Sequence, residues 1–211
     1  MSKRIIFVAI ALLGAAAVGQ ASTLFDTGTG PSLTGRTSIS GPGQGVSVSV
    51  NTTLTQFGFY LDTPSGGNLK FMIWDGTNSA LLYSETDAAA TTSSPALVLT
   101  QVLSFSLLAG NTYYFAVIPD TSANIEFFSP PISLSQNGLS LVNPNTNYGP
   151  FSSPAFIGSA GASIALQIDG TQAAGVPEPA TWLSSVLGLG LLVMVGNIRN
   201  RARSKKSASR A

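Results

Sequence analysis

The chain contains no cysteine and no histidine, and charged side chains make up only 9% of its 211 residues. Without cysteine there is no disulfide framework, no thiolate metal site and no thiol nucleophile. Without histidine the commonest general base and the commonest metal ligand are missing as well. Much hydrolytic and metal-dependent chemistry is thereby excluded. Ordinary soluble domains carry about 25% charged residues, and the shortage here falls mainly on the cations of the central region. Between positions 22 and 175 stand Arg36 and Lys70 against Asp26, Asp62, Asp75, Glu85, Asp87, Asp120, Glu126 and Asp169, a net charge of −6. A surface of that sign repels phosphate backbones, so no nucleic-acid partner is expected. Helical periodicity is also absent from this region.

What the centre does have is alternation. Val46, Val48 and Val50 alternate with serine, and Phe57, Phe59 and Leu61 continue the period of two, as do Leu69, Phe71 and Ile73. Such a period predicts strands with one face inward. Pro64-Ser65-Gly66-Gly67 between the last two runs predicts a hairpin. A second hairpin is expected from residues 98–107 and 113–118 around Ala109-Gly110-Asn111-Thr112, with further strands at 81–84, 125–128 and 163–168. Residues 22–45, rich in Gly, Ser, Thr and Pro, read as a leading segment with one edge strand, and 88–94 as a polar loop. Pro130, Pro131, Pro144, Pro150 and Pro154 break regular structure across 129–161, which is expected to be a long loop. Many short strands with Gly/Pro turns indicate an all-β sandwich of one domain, residues 22–169, followed by a small polar linker at 170–176.

The two ends read as export and sorting signals. Lys3-Arg4, an apolar run at 5–18 and Gly19-Gln20-Ala21 predict a secretory signal peptide, residues 1–21, cut between Ala21 and Ser22. At the other end Val176, Pro177, Glu178 and Pro179 precede an apolar stretch. Residues 180–198, at about 1.5 Å rise each, are just long enough for a helix to span a hydrocarbon core of ~30 Å. Arg199, Arg201, Arg203, Lys205 and Lys206 follow in the basic tail 199–211, and such a cluster stays cytoplasmic, leaving the N-terminal part outside.

That order of Pro-Glu-Pro, short apolar helix and arginine-rich end resembles the PEP-CTERM sorting signal of exopolysaccharide-producing Gram-negative bacteria, over residues 177–203. The resemblance implies an exosortase-type membrane transpeptidase as partner. It implies transient anchoring in the inner membrane, cleavage near Pro177-Glu178-Pro179, and a final place at the cell surface or in the extracellular matrix. The segments Leu54-Thr55-Gln56-Phe57-Gly58-Phe59-Tyr60-Leu61, Asn68-Leu69-Lys70-Phe71-Met72-Ile73-Trp74-Asp75-Gly76 and Leu107-Leu108-Ala109-Gly110-Asn111-Thr112-Tyr113-Tyr114-Phe115 are similar to the jelly-roll-like, choice-of-anchor-type domains of secreted bacterial proteins. That similarity implies a β-sandwich without enzymatic activity.

Few residues offer chemistry. Asp26-Thr27-Gly28 copies an aspartic-protease triplet, but the second copy needed to share a proton is missing. Glu85, Glu126 and the aspartates supply carboxyl groups for a glycosidase, and no spacing selects a pair. Asp75-Gly76-Thr77-Asn78, helped by Asp62 or Asp169, offers oxygen ligands of the kind Ca²⁺ takes, yet a turn accounts for the same residues. No enzyme, metal or cofactor is expected. Parity gives the one candidate ligand face: if the phenylalanines point inward, Tyr60, Lys70 and Trp74 point outward on neighbouring strands, where aromatic rings make a platform for exopolysaccharide sugars. The competing expectation is that 129–161 folds over this face and buries it.

Overall fold

A computed structural model describes residues 21–77 and 80–172. The signal peptide, the linker beyond Gln172, the Pro-Glu-Pro stretch, the apolar segment and the basic tail lie outside the described residues. The described chain is all β: β1 (Ser22–Asp26), β2 (Ser32–Arg36), β3 (Gly41–Val48), β4 (Thr52–Asp62), β5 (Gly67–Asp75), β6 (Leu81–Ala89), β7 (Ala96–Leu99), β8 (Phe105–Leu107), β9 (Thr112–Pro119), β10 (Ala123–Phe128), β11 (Ser135–Gln136), β12 (Leu139–Gly149), β13 (Ala155–Ala160), β14 (Ser163–Ile164) and β15 (Leu166–Gln172). No helix among these residues is long and apolar enough to cross a membrane.

The strands form two antiparallel sheets. The first has eight strands in the order β1-β15-β4-β10-β14, with β2 paired to β10 and with β7 and β8 paired to β4. The second has seven, β11-β12-β3-β9-β5-β6, with β13 paired to β12. Their inner faces meet through aromatic rings: Phe57 of β4 lies 5.1 Å from Phe115 of β9 and 5.9 Å from Phe71 of β5, both edge to face. Such pairs add about 0.5–1.5 kcal/mol each beyond the area they bury. Around them Leu54, Leu61, Leu69, Ile73, Ile125 and Leu166 are fully or almost fully buried.

One irregularity sets the parity of the central strand. Gly170 stands opposite Leu54 but Asp169 opposite Gln56, so Thr55 is an extra residue in β4. A bulge of this kind shifts the alternation by one. Leu54 and Phe57 therefore both face the core.

Several expectations differ from the structure, beginning with the leading segment 22–45, which holds β1, β2 and the start of β3. Residues 57–61 and 69–73 are not a hairpin, because β4 belongs to the first sheet and β5 to the second, and likewise β8 and β9 are in different sheets. Alternation reports that a strand has one buried face and is silent on its neighbour; an arch between layers and a hairpin within one look alike in sequence. Gly66 at φ 64° and Gly67 at φ 113° supply the left-handed conformations with which the chain crosses between layers. The region 129–161 is not a loop, since β12 runs for eleven residues and pairs with β3. Pro144 sits where that ladder is interrupted between Val142 and Thr146. A missing N–H breaks no inter-strand bond there. Finally, Gly170, Thr171 and Gln172, expected in the linker, belong to β15 and pair with Leu54, Thr53 and Thr52.

Candidate functional site

The three residues expected to share a ligand face are separated by the sheet assignment: Tyr60 is on β4 of the first sheet, and Lys70 and Trp74 are on β5 of the second. Tyr60 is half-buried, with its hydroxyl donating to Asp26 Oδ1 at 3.0 Å. Burial, the bond to Asp26 and the charges of Asp26, Glu126 and Asp169 push the Tyr60 phenol up to about 12. Asp26 Oδ1 also accepts from Gly28 N at 2.8 Å, and Gly28 has φ 69°. The Asp-Thr-Gly triplet is thus a turn that positions a carboxylate under a tyrosine.

Trp74 is enclosed, with 5% of its surface accessible. Its ring stacks on Tyr148 of β12 at 5.1 Å and 19° between planes, in a second apolar cluster with Met72, Ala116 and Ile118. The bed for these rings is made by β3. A Cβ on Gly43 would stand 2.4 Å from Tyr148 Cε2, and one on Gly45 would stand 2.9 Å from Tyr114 Cε1. Glycine at alternate positions lets large rings lie flat across a strand. Lys70 closes the cluster on one side: Nζ donates to the Phe151 carbonyl and lies 4.4 Å from the centre of its ring. The cover over Trp74 therefore comes from β12 and the turn after it. No platform for sugars forms from Tyr60, Lys70 and Trp74 together.

The oxygen groups that could be offered to Ca²⁺ are hydrogen-bonded within the protein. Thr77 Oγ1 donates to Asp75 Oδ2 at 2.8 Å and Ala80 N to Asp75 Oδ1 at 3.2 Å, while Asp62 accepts from Asn124 Nδ2 at 2.7 Å and Asp169 from Gln167 Nε2 at 3.0 Å. Among the described residues no group of three metal-ligating side chains assembles. A cleft of about 500 Å³ does open at the loop end, between Asp75, Gly76, Thr77 and Leu82 on one side and Gly110, Asn111, Thr112 and Tyr113 on the other.

Sequence reasoning did not single out one cluster. Tyr83, Glu85 and Asp87 stand opposite Ile73, Phe71 and Leu69 in the β5–β6 ladder. All three thus point toward the mouth between the sheets. Tyr83 Oη donates to Glu85 Oε2, Gln101 N donates to Glu85 Oε1 at 3.0 Å, and Gln101 Nε2 donates to Asp87 Oδ1 at 2.8 Å. Burial first, then the charge and hydrogen bond of Asp87, raise the Glu85 carboxyl above its ordinary 4.5, against a lowering by the Tyr83 bond. The legible signal is two acids two residues apart on an inward parity. Glu126 stands apart from this pair, on β10 of the first sheet, and its Oε2 accepts from Gly30 N at 2.8 Å. No protein-family model matches this chain, and no curated protein matches it.

Proposed function

We propose that this chain is an exported, non-enzymatic surface or exopolysaccharide-matrix protein. In this reading a signal peptide is removed between Ala21 and Ser22. A membrane transpeptidase of the exosortase type then acts at Val176-Pro177-Glu178-Pro179 while the basic tail holds the C-terminus in the cytoplasm. The observation that carries the reading is the ordered composite at 176–203: two prolines flanking a glutamate, a minimal apolar span and a dense basic stop. The described strands run from Ser22 to Gln172, and neither cut falls inside one of them. We read the two sheets as a single jelly-roll-like sandwich whose role is to be displayed. The lack of cysteine and histidine argues against an enzyme.

The test is processing. Replacing Pro177, Glu178 and Pro179 by alanine leaves the protein in the inner membrane with its tail attached, as membrane fractionation and intact mass will report. Release of the altered protein at the parental rate reduces 176–203 to an ordinary anchor and overturns the reading.

A further inference from the structure

Among the described residues there are two cations, and the fold treats them differently. Lys70 is engaged by Phe151. Arg36 has its Nε closed off from solvent with no acceptor, and burial is the single influence that moves its guanidinium, downward from the ordinary value. Nε itself lies out of a ligand's reach, so any bond the guanidinium makes to a bound group runs through its terminal nitrogens.

Register shows where it points. Arg36 stands opposite Ala123 and Thr34 opposite Ile125. Ala123 is 1% exposed and Ile125 0%, on the core side of β10. Directly opposed residues of an antiparallel pair share a face, so Arg36 and Thr34 point between the sheets. There they line an open-mouthed cavity of about 140 Å³ with Phe127, Ala162, Ile164 and Asn145 of β12. The far wall is pinned, since Ala162 N donates to Asn145 Oδ1 at 3.3 Å and Asn145 N to the Ala162 carbonyl at 3.3 Å.

We propose that this cavity is a carboxylate-binding site, in which the Arg36 guanidinium takes the carboxylate of a uronic acid residue or of a free small organic acid. A planar fork of donors matches a carboxylate in two parallel bonds. Phe127, Ala162 and Ile164 give walls on which a short carbon skeleton packs, and they strengthen the charge interaction by excluding water. Thr34 adds a hydroxyl at the rim. At about 30 Å³ for each water-sized group, the space holds a carboxylate with a few carbons, or the acidic edge of one sugar ring. The net charge of −6 repels polyanions at a distance, so the site depends on short-range bonds and favours a single negative charge. The competing role is protection of an edge: β2 pairs with β10 alone, and an inward-pointing charge discourages such strands from pairing with other chains.

The site stands independently of the sorting reading, and failure of either leaves the other untouched. The experiment uses the full chain in detergent, with the Arg36 Nε–Hε resonance followed by NMR and affinities taken by calorimetry. Sodium glucuronate, sodium acetate, glucose and sodium chloride are added at matched ionic strength. The expected result is a saturable response to both carboxylates and none to glucose or chloride. Arg36→Lys, which keeps the charge and loses the fork, binds at least about tenfold more weakly. Glucuronate binding at least about tenfold tighter than acetate identifies a sugar acid as the source, and equal affinities identify a free acid. The absence of a saturable response to either carboxylate, or an equal response to chloride, overturns the proposal. So does an Arg36→Gln variant that binds as the parent does and self-associates, which leaves edge protection as the whole role of the residue. Should Arg36→Gln not fold, the parental titration and Arg36→Lys decide the matter.

Discussion

The two sheets turn opposite kinds of surface away from their common core. On the first, Tyr60 lies half-buried with its hydroxyl on Asp26, and Gln167 and Asp169 are hydrogen-bonded to each other on β15. On the second, Met72, Trp74, Ala116, Ile118 and Tyr148 form a further apolar cluster of which no member is more than 5% exposed. Both faces come from strands with the same period-two pattern. Parity states on which side of a sheet a residue lies, while the burial of that side depends on what a distant part of the chain lays over it. For Trp74 that part is Tyr148, made possible by the missing side chain at Gly43.

The sharpest way to break this contrast is to truncate one aromatic on each face. Trp74→Ala opens a cavity against Tyr148 and Met72 and should cost about 3–5 kcal/mol. For a body of this size that is a fall in Tm of roughly 10 °C. Tyr60→Ala removes a half-exposed ring and should cost clearly less. Thermal unfolding of the two variants decides, and a larger loss for Tyr60 would mean that the buried and open faces have been assigned the wrong way round.

Next in size is the bed beneath the rings. Gly43→Ala places a methyl 2.4 Å from the Tyr148 ring and 3.0 Å from the Ala116 Cβ, which forces the stack to shift and should cost about 1–3 kcal/mol. If the cost arises from the ring, it shrinks in a Tyr148→Ala background, and the double-mutant cycle shows a coupling of at least about 0.5 kcal/mol. A cycle that closes with no coupling would put the penalty in the β3 backbone instead.

Much of the inner layer was legible because it obeys alternation: Phe57, Phe59, Leu61, Leu69, Phe71 and Ile73 all point to the core as the sequence implies. Layer assignment was not legible. A proline-glycine turn is compatible with a hairpin or a crossover, and Phe57 touches Phe71 across the layers in the structure, where a hairpin would have set them side by side. The strands within 129–161 are not legible because its prolines outweigh its weak alternation, although Pro144 falls where the ladder is interrupted. The carboxyl cluster at Glu85 and the cavity at Arg36 depend on which strands become edges, and that is a property of topology. The Pro-Glu-Pro composite lies outside the described residues, and its reading rests on residue order alone.

A smaller effect separates the polar role of Tyr60 from its packing. Tyr60→Phe keeps the ring and removes the bond to Asp26, for a loss of about 0.5–1.5 kcal/mol near neutrality. The folded phenol is raised above its ordinary 10 to about 12, so the stability tied to it is complete below that ordinary value and is lost as pH rises through the folded one. The parent should therefore weaken between pH 10 and about 12 more steeply than Tyr60→Phe. Parallel slopes in chemical denaturation would show that the phenol ionises as it does in the unfolded chain.

The smallest effect compares two carboxylates that the fold perturbs in opposite directions. Glu85, beside Asp87 and Tyr83, is raised from 4.5: the folded state holds its proton more tightly, so its contribution is complete below that value and is lost as pH climbs through the higher folded one. Asp120 is lowered from 3.8, because Asn68 N donates to its Oδ1 at 2.7 Å and Asn68 Nδ2 to its Oδ2 at 2.6 Å. Its contribution is present above its ordinary value and is lost as pH falls through the folded one. Both groups are largely open to solvent, which screens their effects. Acidifying from neutrality should first raise Tm, as Glu85 takes up its proton, and then lower it once Asp120 is protonated. Glu85→Gln should raise Tm at neutral pH and flatten the first limb while leaving the second. Asp120→Asn should do the reverse. An unchanged first limb in Glu85→Gln would mean that Asp87 and Tyr83 accommodate the charge without cost. The inward carboxyl pair would then be as well solvated as the outward carboxylate of Asp120.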